Sequence, residues 1–332
     1  MNFRSSVLKN PLVASTAFVM FGAAAVVAQS PAAKPAVSPA AKAAPAKDWR
    51  TPWGDPDLQG SWSNATTTPL ERNAKYGNRA FLTEQERAES DKITVIATDK
   101  RDAPGTVDDL NGAYNGAWWE RGLSDGRTSL IYDPSNGRIP PHTPEAEKRI
   151  VEDRRIADER EALARGPEDL PLYTRCVVRA SLPRVSTGYD NNYEIIQTPG
   201  QVAIVQEQMH ETRIIPLDGR PHLTPAVRQW LGDSRGRWEG KTLVVETTNF
   251  GDDISFEGST RGMKLTERWT RVADDHIAYT FTVEDPATWT KPWSAAVTWN
   301  KTSVLYEYAC NEDNFGMYGI LAGARAEEKK AR

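Results

Sequence analysis

The sequence predicts a mainly β chain: an antiparallel barrel, with a sandwich as the runner-up, carrying a few peripheral helices. Three observations predict it. From Asn191 onward, short runs alternate apolar and polar residues, the pattern of half-buried antiparallel strands. Short turn sequences such as Pro199-Gly200 and Asp274-Asp275 join them. The longer helical patterns are two charged stretches, and so many sequential strands must hide their edges, which closure into a barrel does most completely.

The first 28 residues read as a secretory signal, with Arg4 and Lys9 ahead of an apolar run, Pro11 to Ala28, that ends in small residues. Cleavage is expected after Ala28. A transmembrane anchor fits less well, because the run is short and Ala-rich and no stop-transfer charge cluster follows. Residues 29–48, rich in Pro, Ala and Lys, have almost nothing to bury and read as an extended tether. One domain is expected over 49–326, with a charged tail at 327–332, in a periplasmic or secreted protein. Net charge is −4, with both signs interleaved. That gives no footprint for nucleic acid or for an anionic membrane.

Within the domain, PWGDPDLQGSWSN leads into a strand at Ser61 to Asn64 whose Trp62 faces a core. Thr83 and Glu86 form a capping box that opens a helix over 83–96. Residues 101–127, with Gly, Asn and Asp around Trp118 and Trp119, read as a long loop and a candidate lid. A strand at Ser129 to Tyr132 ends at the Asn136-Gly137 turn. Thr143-Pro144 then caps a charged helix over 144–165. The same order recurs as a strand at Arg213 to Ile215, an Asp218-Gly219 turn, and Thr224-Pro225 opening a short helix. Around it, EIIQTPG and QVAIVQEQ form a hairpin. Strands KTLVVETT, KLTERWTRV, HIAYTFTVED, WSAAVTWNK and SVLYEYAC follow. The two cysteines, Cys176 and Cys310, are expected to form a disulfide in an oxidising compartment.

The segments PDLQGSW, RIIPLDGRPHL, WLGDSRGRWEGKTLVVETTNF, LTERWTRV, EDPATWTKPW and YEYACNEDNFG resemble a large family of exported, uncharacterised bacterial proteins, from about Trp53 to Glu327. The second half also resembles the lipocalin-like β-barrels. That resemblance implies a small ligand held inside, and in some members its isomerisation, hydration or dehydration.

Strand parity nominates the residues that face such an interior. Glu267 shares a face with Leu265 and Trp269, so a carboxylate points inward. It is either a general acid/base or half of a salt bridge to a buried Arg. Glu246, Glu207 and Glu307 are weaker candidates of the same kind. His210 falls on the parity of Val202 and Ile204, and would make a catalytic acid/base pair with Glu267 if the two meet. The rival is a histidine satisfied at the core or rim. Tyr193, Arg213, Glu246, Trp269, Tyr279 and Trp293 are the candidate ligand-binding residues, aromatic walls with a few polar groups, although such residues more often build core.

No metal or cofactor is expected. Glu207-x-x-His210 would face opposite sides of a strand, and GDSRGRWEG lacks the strand–turn–helix context of a phosphate loop. GDSRG at 232–236 matches G-x-S-x-G, but an all-β reading denies it the strand-to-helix turn that a nucleophile elbow needs. Three functions remain, in order: a binding barrel for a small apolar or aromatic molecule, which requires an enclosed cavity; a cofactor-free lyase, isomerase or hydratase using His210 and Glu267; and an envelope scaffold.

Overall fold

The computed structural model describes residues 47–97, 120, 122–303, 305–312 and 314–330. The expected leader, all but the last two residues of the expected tether, and most of the expected lid lie outside them. Ten strands form one antiparallel sheet: β1 (Gly60–Ser63), β2 (Ile131–Asp133), β3 (Asn192–Thr198), β4 (Gln201–Gln206), β5 (Thr212–Pro216), β6 (Asp233–Glu239), β7 (Thr242–Thr248), β8 (Lys264–Arg271), β9 (His276–Glu284) and β10 (Trp293–Lys301). Nine of them follow the order β5-β4-β3-β1-β10-β9-β8-β7-β6 around a nearly closed barrel. β2 pairs with β10 alongside β1.

The barrel forms because the strands keep one face apolar. Ile277, Tyr279, Phe281 and Val283 of β9 are buried, as are Trp293, Ala295, Val297 and Trp299 of β10. Their rings meet across the interior: Tyr193 stacks on Trp299 at 4.5 Å, Trp269 on Tyr279 at 4.9 Å, and Trp293 meets Trp289 edge-on at 5.6 Å. Such contacts add to the area that aromatic rings bury.

Among the described residues, no ladder joins β5 to β6. Side chains close this seam instead. Ile215 and Leu217 lie over the bare backbone of Gly236, where a Cβ would come within 2.7 Å and 2.6 Å of their methyl carbons. Only glycine leaves that room.

Among the described residues, three α-helices lie outside the sheet. In α1 (Glu84–Ala97) the expected capping box is present: Thr83 N donates to Glu86 Oε2 at 2.8 Å and Glu86 N to Thr83 Oγ1 at 3.2 Å. In α2 (Pro144–Leu163), Thr143 caps and Pro144 takes the first turn. α3 (Phe315–Lys330) was not expected, since Gly316, Gly319 and Gly323 lower its helix propensity. Tertiary contacts support it. Asn314 Oδ1 accepts from Met317 N, and Arg325 donates to the Ala164 and Arg165 carbonyls just past the end of α2. The tail expected at 327–332 is helical as far as Lys330.

Two further expectations need correction. No strand forms over the described residues of 303–310. Tyr306 N donates to the buried Glu207 carboxylate, and Cys310 is bonded to Cys176, so side-chain and covalent ties hold this segment rather than a ladder. Thr224-Pro225 opens only a single turn, closed by Val227 N to Thr224 O at 2.9 Å. Too few residues remain before β6 for a longer helix to gain from cooperative extension.

Candidate functional site

The barrel interior is not uniformly apolar. Arg213 on β5 extends along the wall and crosses the seam. Its Nε donates to Ser234 Oγ of β6 at 2.8 Å, and its Nη2 donates to Thr247 Oγ1 of β7 at 2.7 Å and to Glu267 Oε2 of β8 at 2.5 Å. Tyr279 of β9 donates to the other Glu267 oxygen at 2.8 Å. A continuous polar belt thus spans five strands. Glu267 is 1% exposed and Arg213 8%, so each charge depends on the other and on these hydroxyls for compensation. The Tyr279 hydroxyl titrates well above its ordinary range, first because it is buried and then because Glu267 is beside it.

A second buried ion pair lies opposite. The irregular segment around Leu182 and Arg184 closes this end of the barrel, and Arg184 pairs with Glu211 just ahead of β5. Arg179 N also donates to Glu211, at 2.7 Å. Burial lowers the pKa of Arg184 to about 10, which leaves it cationic at neutral pH. Burial raises that of Tyr193 to about 12.

Between the two pairs is a chamber of about 30 Å³, lined by Tyr193, Gln206, Arg213, Trp269, Tyr279 and Trp299, and also by Leu182 and Leu231. That is room for about one water molecule. The aromatic side chains fill the rest, so the roomy cavity required by the sequence-based reading is not preformed.

Among the described residues, two lining indoles, Trp269 Nε1 and Trp299 Nε1, are buried without a hydrogen-bond partner. Gln206, 6% exposed, lines the same chamber, and its side chain makes no hydrogen bond to a described residue. The inward-facing Gln197 is fully used by contrast: its Oε1 accepts from Leu58 N at 2.6 Å and its Nε2 donates to Pro56 O at 3.0 Å. Arg213 bonds through Nε and Nη2 alone, which leaves Nη1 without a partner among the described residues.

Of the residues nominated for ligand binding, Tyr193, Arg213, Trp269 and Tyr279 come together here. Glu246 does not. It is on the outer face of β7, paired with Arg237 at 3.0 Å and Lys264 at 3.4 Å, and the Arg237 hydrogen bond leads in lowering its pKa. Trp293 is buried elsewhere in the core, against Phe256, Phe281 and Trp289.

His210 and Glu267 do not meet either. β4 ends at Gln206, and Met209 (φ 64°) and His210 (φ 51°) reverse the chain in a short 3-10 turn. Parity does not carry through such a reversal, and His210 is exposed while Glu267 is inside. Glu207 is buried, with Asn192 Nδ2 and Tyr306 N as its donors, and Glu307 is exposed. Gln206 was legible as a polar residue on the parity of Val202 and Ile204. Arg184 and Glu211 lie outside the strands and carried no such signal.

No family model matches the chain, and no curated protein gives a significant match. Among solved structures, the chain is similar to a secretary abundant heat soluble protein from Ramazzottius varieornatus. Identity is 13%, over 44% of this chain and 85% of that one, with a TM-score of 0.24. A likeness that low carries no argument about function.

Proposed function

We propose that this protein is an exported β-barrel that binds one small molecule with an apolar or aromatic body, at the end of the barrel between Arg184 and Arg213. The observation that carries this reading is the convergence of Tyr193, Arg213, Trp269 and Tyr279 on one chamber that also holds an unpartnered amide. The disulfide between Cys176 and Cys310 supports an oxidising compartment, as does the apolar leader in the sequence.

Small-molecule pockets usually measure about 300–1,000 Å³, so the ligand enters by displacing the lining residues Leu182 and Leu231. Both belong to irregular segments outside the strands, and moving them breaks no ladder of the barrel. The acid/base alternative finds no support in this arrangement, since Arg213 and Tyr279 occupy the Glu267 carboxylate and His210 is outside.

The test is untargeted mass spectrometry of compounds extracted from the purified full chain, beside a Leu231→Trp variant that fills the chamber. A compound recovered in near-equal molar amount from the wild type and absent from the variant is expected. No bound compound in the wild type, with no thermal stabilisation by cell-envelope extracts, removes the reading.

A further inference from the structure

Resting on that reading, we infer that the chamber takes a neutral, planar compound carrying a carbonyl oxygen, rather than a carboxylate or a hydrocarbon. Three features assign this class.

The first is unspent hydrogen-bonding capacity. Gln206 is the direct cross-strand partner of Tyr193, and Arg213 that of Ile204, so β3, β4 and β5 present Tyr193, Gln206 and Arg213 side by side. The chamber groups without partners among the described residues are the Gln206 amide, Arg213 Nη1 and the buried indole N–H groups of Trp269 and Trp299. Buried polar groups are nearly always paired, and unpartnered donors that gather on one chamber point to an acceptor held there. All of these groups donate N–H, so an acceptor oxygen on the ligand matches them. The Gln206 carbonyl could in turn accept from an adjacent N–H of the ligand.

The second is charge. Arg184 is matched by Glu211 and Arg213 by Glu267, so the four buried charges cancel. A ligand carboxylate would add an uncompensated negative charge beside Glu267 in a space poor in water, where like charges repel strongly. A carbonyl accepts the same hydrogen bonds without that charge.

The third is shape. Trp269 and Tyr279 stack at 27° while Trp299 meets Trp269 edge-on, so the lining offers both ring faces and ring edges to an aromatic ring.

The test is calorimetric titration of the full chain with four probes of similar size: benzamide, acetophenone, ethylbenzene and benzoate. Benzamide and acetophenone are expected to bind at least about tenfold more tightly than ethylbenzene, with benzoate weakest, because a site built to hydrogen-bond a ligand rejects the analogue that cannot. In Gln206→Leu, acetophenone should fall about tenfold to the level of ethylbenzene, while ethylbenzene holds or improves. Benzoate binding as tightly as acetophenone overturns the class, and so does ethylbenzene matching acetophenone on the wild type. Either result leaves small-molecule binding standing. If no probe binds but extraction recovers a compound, the class alone falls. If neither gives a ligand, the binding reading falls with it.

Discussion

Arg213 closes the barrel where the backbone does not, through hydrogen bonds to Ser234, Thr247 and Glu267 on three successive strands. Removing it leaves Glu267 buried without its cation, a situation that costs about 3–5 kcal/mol. Arg213→Met should therefore lower stability by that order in urea unfolding. The double variant Arg213→Met/Glu267→Leu should recover most of the loss, because no charge is left unpaired, and a double-mutant cycle measures the coupling directly. If the double variant is no more stable than Arg213→Met, the seam depends on the arginine in some other way. Gln206 has the opposite sign: its amide faces the chamber with no protein partner among the described residues, so Gln206→Leu should raise stability by up to about 1 kcal/mol. A loss would mean that the amide has a structural partner. The salt-bridge alternative for Glu267 was legible in the sequence because strand parity carried a carboxylate into an apolar face. Its partner on β5 was not, since 54 residues separate the two.

At the scale of elements, the strands and the two long charged helices follow from local pattern, whereas the C-terminal segment does not. Residues 303–310 alternate like a strand, yet tertiary ties place the disulfide there and start α3 soon after. A bridge across 134 residues restricts the unfolded chain by about 5 kcal/mol in the entropy model. Neither cysteine is in a barrel strand, however. Reduction should thus first free the segment between β10 and α3. Limited proteolysis under reducing conditions should cut between 302 and 315 while the near-ultraviolet circular dichroism of the aromatic core persists. Loss of that signal at the same rate as cleavage would show that the bridge supports the barrel itself.

Over the whole molecule, closing the barrel gathers carboxylates that are far apart in sequence. Asp190 is half-buried, and burial, followed by the charges of Glu207 and Glu120, raises its pKa from 3.8 to about 6; burial raises Glu120 as well. A raised acid favours folding while protonated, so this contribution is complete below about pH 3.8 and is lost as pH rises through about 6. Asp190→Asn should accordingly stabilise the protein at pH 7.5 and make little difference at pH 4. Equal effects at the two pH values would exclude this cause.

The sequence by itself determined what local chemistry controls: the period-two alternation of β8, β9 and β10, the capped starts of α1 and α2, the hairpin at Pro199-Gly200, and the inward direction of Glu267, Trp269 and Tyr279. Parity within one strand needs no knowledge of neighbouring strands. Tertiary structure decided the rest. It turned His210 outward through two left-handed residues, set Glu246 among surface cations, joined β5 to β6 by side chains, and brought Arg184 and Glu211 to the end of the barrel. Those outcomes depend on how distant segments meet, and the energy of such meetings is not written in any single stretch of chain.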